Sequence, residues 1–348
     1  MNKIIKHVIS DEKDFEVLRE KWIRLSQGKN MTCFQSYGWN ILLYRNWHNS
    51  LYNRLFSKVV IYETDNIIAP LIIQKYNFSL KILGRKAGVY FLGTGSYSDY
   101  IDFIYSDVNG LDSLLEYIRK DNKGLRLFLN FICQDSPANK YIPAGTKKDS
   151  GVCVYIKIEK DIQNYNTKLS KHTRQNLRTA LNRMEKDGIK YEYEVRTKPL
   201  DNVEIEELSK IHLDRVLSKN KIDNSSIRRK ISSTIAYIKL RNTEINNNII
   251  KEAMKYQDNS FTLIVKLNKK TAGYLYGFIE KNGVIRICQN CLNEEYKFYS
   301  PMFRACYDFI CDCCDKHNYT EIDFTRGNEE YKYKLGGIER SIYSYEVE

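Results

Sequence analysis

The last third of the chain holds the residues whose types and spacing can do chemistry. A helix opens on Ser300-Pro301. Ser is a favoured N-cap residue, and Pro at the first helical position gives up only an N–H that has no helical partner. The free N–H groups from Phe298 to Phe303, at the positive end of the helix dipole, make a place to hold an anion. Further on come Asp323-Phe324-Thr325-Arg326-Gly327 and then Tyr331-Lys332. Asp323 stands between Ile322 and Phe324 at the end of a buried strand, where an apolar setting raises a carboxyl pKa and suits proton transfer. It can serve as a general base or an orienting group, or equally cap the next turn. Tyr331 is placed to protonate a leaving thiolate, and Lys332 to pair with a phosphate.

A second candidate is the basic helix Ser170–Lys186. From Lys168 to Lys186 there are six basic residues against one acid, Glu185. Lys171, Arg174 and Arg178 share a face at i, i+3 and i+7, apart from the apolar stripe Leu177, Leu181 and Met184. A substrate or donor phosphate fits that face, and so does plain solvent. Other chemistries are poorly supplied. There are five histidines, no Ser-His-Asp, His-Cys or metal-ligand spacing, no phosphate loop and no dinucleotide fingerprint. The Cys288–Cys291 pair has a CxxC look, but Cys306 and Cys313 fall on an apolar helix face. The cysteines read as small buried hydrophobes rather than zinc ligands, and no metal site is expected.

The elements that must position these residues alternate in type. Ile4–Ile9 reads as a strand and Asp11–Gln27 as a helix with Phe15, Leu18, Trp22 and Leu25 on one face. A second helix turns Trp39, Leu42, Leu43 and Trp47 inward. Strands follow at Lys58–Glu63, Ile67–Lys75, Lys81–Leu83, Val89–Leu92 and Tyr100–Tyr105, then a helix at Leu111–Arg119 and a strand at Leu125–Ile132. After the Pro137 and Pro143 segment, Val152–Ile158 reads as a strand, and Tyr191–Val195 as another. Helical stretches run over Leu200–Leu217 and Ile227–Met254. Strands Phe261–Leu267, Tyr274–Ile279 and Val284–Asn290 lead to the helix Pro301–His317 and the strand Glu321–Phe324. The order of the second half matches the first. This predicts an α/β (α+β) fold of two copies of one module, residues 1–150 and 151–348, each a mixed, mainly antiparallel sheet flanked by helices.

The chain has 348 residues, 43% of them hydrophobic, enough for two cores. The N-terminus lacks an apolar signal region and no run is long enough to span a membrane, so a cytoplasmic protein with reduced thiols is expected. Its net charge of +12 favours anionic partners.

Several motifs resemble FemAB-type members of the GNAT acyltransferase superfamily, including cellulose-biosynthesis-type acetyltransferases. LSKHTRQNLRTALNRMEKDG is similar to their basic helix, TCFQSYGW to an early aromatic motif, and GSYSDYIDF to a strand motif of the first domain. YSPMFRACYDFI and DFTRGNEEYKYKLGG are similar to the final helix and closing motif. The resemblance implies tandem GNAT-like domains and transfer of an acyl group from a thioester or aminoacyl ester to an amine or hydroxyl. It places the donor's pyrophosphate near Lys297, Phe298, Tyr299, Ser300, Met302, Phe303 and Arg304. Phe298 and Met302 stand where simpler acetyltransferases carry glycines. This chain keeps the Asp323, Gly327, Tyr331 and Lys332 pattern; Asp323 and Tyr331 are the catalytic candidates, and Lys171, Arg174, Arg178, Lys332, Trp39 and Asp99 the substrate-binding ones.

The leading expectation is an N-acyltransferase that uses acetyl-coenzyme A or another acyl-coenzyme A on a sugar, nucleotide-sugar or cell-envelope precursor. The alternative donor is aminoacyl-tRNA, for a peptidoglycan bridge; the helical stretch Ile205–Met254 lacks the sustained heptads that would favour it. A non-catalytic RNA-binding protein using the basic helix is the remaining class.

Overall fold

The computed structural model describes residues 3–75, 86–95, 97–219 and 248–348. They form two compact units, 1–151 with 340–348, and 152–339. The expected strand at Lys81–Leu83, and residues 227–247 of the expected helix, lie outside the described residues.

The first unit begins with β1 (Ile5–Ile9), α1 (Glu12–Glu16) and α2 (Arg19–Leu25). The single helix expected over Asp11–Gln27 is broken at Val17 and Leu18. Asp11 caps α1, accepting from the N–H groups of Lys13 and Asp14, while Asp14 reaches back to the Asp11 N–H. The apolar face survives the break, with Phe15, Leu18, Trp22 and Leu25 all buried. Next come α3 (Tyr37–His48) and α4 (Leu51–Phe56), each started by a serine hydroxyl that accepts a main-chain N–H. Strands β2 (Ser57–Glu63) and β3 (Ile67–Gln74) pair about Thr64, whose Oγ1 accepts from the Ile67 N–H. Then follow β4 (Gly88–Phe91), β5 (Ile104–Tyr105), α5 (Leu111–Asp121) and β6 (Leu127–Cys133). Only the last two residues of the strand expected at Tyr100–Tyr105 are extended. Tyr100 adopts φ 52°, and the Asp102 carboxylate takes the Phe103 N–H that a neighbouring strand would need.

The chain leaves this unit along β7 (Lys147–Lys157). The second unit adds α6 (Ile162–Lys168), α7 (Lys171–Lys186), β8 (Tyr191–Arg196), α8 (Asn202–Lys219) and a helix over 248–256, α9. The strands β9 (Ser260–Leu267), β10 (Lys270–Ile279) and β11 (Val284–Leu292) follow. Then come α10 (Pro301–Lys316), β12 (Glu321–Arg326) and α11 (Glu330–Lys334). The chain returns to the first unit along β13 (Ile338–Val347), a strand not assigned from sequence. There it pairs antiparallel with β6.

The sheet of the second unit runs in the order β7-β12-β11-β10-β9-β8, and only β11 and β12 are parallel. Phe261, Leu263, Val265, Leu275, Ile285 and Ile287 pack with Ala305, Cys306, Phe309 and Ile310 of α10. Each large apolar side chain so buried contributes roughly 1.5–3 kcal/mol. Burial pushes the Cys306 thiol up to about 12, so it acts as a small hydrophobe. A bulge in β11 leaves Cys288 between Ile287, opposite Gly277, and Gln289, opposite Tyr276. A Cβ on Gly277 would lie 1.9 Å from the Arg286 carbonyl oxygen, so this strand crossing requires glycine.

The repeated order extends to the backbone. In the first unit β4 and β6 are parallel neighbours separated in sequence by α5, as β11 and β12 are by α10. Phe131 (φ 65°) and Thr325 (φ 52°) are each the fifth residue of the later strand, and both are left-handed. Gly110 (φ 85°) and Ser300 (φ 50°), just before the two helices, are left-handed as well.

One buried group makes the first unit pH-dependent. Asp102 accepts from Ser136 Oγ (2.5 Å), the Phe103 N–H (2.8 Å) and Tyr105 Oη (3.2 Å). Burial outweighs these bonds and pushes its carboxyl up to about 6 from an ordinary 3.8. The folded unit therefore binds this proton more tightly than the unfolded chain, and stability falls as pH rises through that window. The unfolding free energy of the native protein minus that of Asp102→Asn is expected to fall by about 3 kcal/mol between about pH 4 and pH 7. Denaturant titrations at several pH values measure it, and a pH-independent difference would contradict it.

Candidate functional site

The site is built on a fork in the second sheet. Strands β11 and β12 pair for three positions, Val284 with Glu321, Ile285 with Ile322 and Arg286 with Asp323. At the third, Arg286 Nη1 lies 2.6 Å from Asp323 Oδ2, and Arg286 Nε 2.6 Å from Glu280 Oε1. Asp323 Oδ1 also accepts the Thr325 N–H at 2.7 Å. Asp323 is 0% exposed and Arg286 7%. Buried ions persist only when partnered in this way.

Beyond that pair the strands part. Thr325 takes a left-handed backbone, which costs a β-branched residue roughly 1–3 kcal/mol and needs other contacts to hold it. Its Oγ1 donates to the Ile287 carbonyl at 2.8 Å. Lys332, 2% exposed, supplies the rest. Its Nζ lies 3.1–3.3 Å from the carbonyl oxygens of Phe324, Thr325, Arg326 and Gly327, and 2.9 Å from Glu329 Oε2. The loop is wound around this ammonium.

Past the fork, β11 continues from Cys288 to Leu292 without β12 beside it. Asn290 Nδ2 donates to Tyr331 Oη at 2.8 Å, and Arg215 Nη1 of α8 donates to the Asn290 carbonyl at 2.5 Å. Burial raises the Tyr331 hydroxyl far above its ordinary value, so it stays protonated at neutral pH. His212 Nδ1, also from α8, sits 3.1 Å from Cys291 Sγ. These α8 partners lie some 75 to 79 residues from β11 in sequence, so no local spacing signals them.

The strand leads through a 3-10 turn, Glu294–Tyr299, to the mouth of α10. Ser300 does not cap the helix with its side chain as expected; it takes the left-handed conformation instead. Pro301 is the first helical residue, and the N–H groups of Met302 and Phe303 follow it. Met302 is buried, and a Cβ built on Gly273 would meet its Sδ at 2.5 Å. Its bulk therefore fills space beside β10. Lys297 and Phe298 are exposed, and Tyr299 Oη donates to Asp187 at 2.9 Å. Arg183 of α7 donates to the Phe298 carbonyl at 2.9 Å, with its guanidinium 4.6 Å from the ring centroid.

Several expected roles do not fit these positions. Asp323 has both oxygens engaged deep in the sheet, so it cannot reach a substrate as a general base. Lys332 is enclosed by carbonyls and cannot pair with a phosphate. Arg304 is folded along α10 and grips Asp308 through Nε (2.8 Å) and Nη2 (2.5 Å). Arg174 Nη1 donates to the carbonyls of Asn166 and Leu169, at the end of α6. Lys171 and Arg178 are exposed on α7. Trp39 and Asp99 belong to the first unit. Trp39 is 1% exposed and donates from Nε1 to Ser98 Oγ at 2.8 Å, and Asp99 is buried.

The fork and the helix mouth both lie within residues 171–333. Residues 171–333 match the acetyltransferase (GNAT) domain family, so the second unit carries a GNAT acetyltransferase domain. The chain is therefore a transferase and not a non-catalytic binding protein. Among solved structures, a conserved protein of unknown function from Bacteroides thetaiotaomicron is 13% identical, with a TM-score of 0.53 over 94% of this chain and 97% of its own. The C-terminal domain of a proposed lysylphosphatidylglycerol synthetase from Agrobacterium fabrum is 12% identical, with a TM-score of 0.54 over 97% and 92%. These two likenesses show the fold. FemX is 12% identical, with a TM-score of 0.48 over 98% and 97%. No curated protein matches the sequence.

The fork makes its own prediction. Arg286→Met would leave the Glu280 and Asp323 carboxylates buried without their cation, an expected cost of about 3–5 kcal/mol. Chemical denaturation measures it; a loss under about 1 kcal/mol would mean that the ion pair does not hold the strands.

Proposed function

We propose that the second unit transfers an acyl group from an acyl-coenzyme A thioester to an amine, or a hydroxyl, of a sugar, nucleotide-sugar or cell-envelope precursor. The observation that carries this reading is the parting of β11 from β12 after Arg286 and Asp323. A thioester arm laid along the freed edge of β11 meets main-chain N–H groups there. One such group aimed at the thioester oxygen stabilises the developing oxyanion by roughly 3 kcal/mol. The donor's pyrophosphate is assigned to the N–H groups of Met302 and Phe303, with the exposed Lys297 a few residues earlier in the chain. The net charge of +12 assists capture of so anionic a donor.

In this mechanism Tyr331 is the proton donor. Its hydroxyl, held by Asn290 and kept protonated by burial, protonates the departing thiolate. Asp323 acts through Arg286 and Thr325 by fixing the fork, and not by taking a proton. Alignment of acceptor and thioester supplies much of the remaining acceleration. No helix among the described residues is long and apolar enough to cross a membrane. We place the reaction in the cytoplasm, with the donor pool.

Calorimetry of the purified chain should show acetyl-coenzyme A binding, with charged tRNA as the competing donor. Binding of charged tRNA alone would replace the coenzyme with an aminoacyl ester, and binding of neither would overturn the reading. Tyr331→Phe should lower kcat on the order of a hundredfold while leaving donor affinity unchanged. An unaltered kcat would remove Tyr331 from the reaction.

A further inference from the structure

Past the fork, β11 keeps β10 on one side and has lost β12 from the other. The Asn293 N–H donates to the Ala272 carbonyl of β10 at 2.9 Å, and a Cβ on Gly273 of β10 would lie 2.6 Å from the Cys291 carbonyl oxygen. Main-chain groups alternate in direction along a strand, so those of Asn290 turn away from β10, to the edge that β12 has left. Arg215 of α8, half-buried, takes up that place, and its Nη1 donates to the Asn290 carbonyl at 2.5 Å. Asn290 in turn donates from Nδ2 to Tyr331 Oη at 2.8 Å. That bond occupies a lone pair of the hydroxyl, while the Tyr331 proton has no acceptor among the described residues. The guanidinium has no carboxylate partner among them, and its Nε is buried with no hydrogen-bond partner. Its charge is therefore not cancelled by an ion pair. Burial raises the Tyr331 hydroxyl, Glu329 adds to the rise, and the Arg215 charge opposes it.

We propose that Arg215 is a positioning residue for the transfer step, fixing Asn290 so that the Tyr331 proton is left to face the departing thiolate. The proposal rests on the thioester reading above. As the acceptor amine bonds to the carbonyl carbon, the carbon–sulfur bond breaks and its electron pair goes to the coenzyme sulfur. That sulfur takes the Tyr331 proton, and the phenolate left behind takes a proton from the amine. Nothing is oxidised or reduced. Arg215 acts through Asn290 and Tyr331: it holds in place the residue that orients the hydroxyl, and its charge steadies the phenolate until the amine's proton arrives. Helix α8 thereby supplies, from 75 residues away in sequence, the contact that β12 gives up where it diverges.

The test follows release of coenzyme thiol from acetyl-coenzyme A by the intact chain, with glucosamine as the probe acceptor. Arg215→Met should lower kcat roughly tenfold while leaving the affinity for acetyl-coenzyme A, read by calorimetry, unchanged. Arg215→Lys, which keeps a charged donor on α8, should lose less. The decisive arm is the Tyr331→Phe background. There Arg215→Met should cost nothing further, because the group through which it acts is gone. Losses that multiply in the double variant, or an undiminished kcat in Arg215→Met, would overturn this role and leave the transferase reading standing. Absence of acetyl-coenzyme A binding in the native chain would overturn both.

Discussion

A single buried ion pair sets the geometry of the second sheet. Arg286 and Asp323 face each other at the last position where β11 and β12 still run together. Glu280 engages the remaining face of the guanidinium, and the Thr325 N–H the remaining carboxylate oxygen. Charges this deep are tolerated only with partners on every side, so the pair fixes both the register below it and the place where the strands diverge. Lys332 then gathers four successive carbonyls into a turn that carries β12 away. The opening is thus imposed by polar groups with exacting partners and not left to loose packing.

The proposed chemistry depends on that rigidity. A donor stretched along a strand edge reacts well only if the edge keeps its place, because catalysis by alignment is lost with small displacements. The polar groups fall into two sets. Arg286, Asp323, Glu280 and Lys332 shape the backbone. Tyr331 and Asn290 meet where β11 has parted from β12 and keeps only β10 beside it.

Element order was readable because the periodicities are clean. The α10 stripe Met302, Ala305, Cys306, Phe309, Ile310 and Cys313 is buried throughout, and the second copy of the module followed from order alone. Residue roles were less legible. Asp323, Lys332, Arg304 and Arg174 looked chemical because they are charged and close to the right motifs, yet each is consumed by a partner that sequence spacing does not reveal. His212 went unnoticed for the reverse reason: its partner Cys291 lies 79 residues away in sequence. Ser300 kept its place at the helix start but met the requirement through a left-handed backbone, and propensity tables do not distinguish that from a side-chain cap. The last strand was missed because Ser341, Tyr343 and Tyr345 alternate without a strongly apolar face, and β13 owes its place to the partner strand β6.

The first unit repeats the parallel pair, for two positions only. There Tyr90 and Phe128 stand opposite each other and stack with ring centroids 4.8 Å apart and planes 11° from parallel. Phe128 also crowds Gly88, where even a single added carbon would meet the ring at 2.6 Å. An aromatic stack thus stands within the first unit's parallel pair, where its twin carries the ionic latch. The two halves thus share one strand plan and stabilise it by different physics, ring stacking in one and an ion pair in the other.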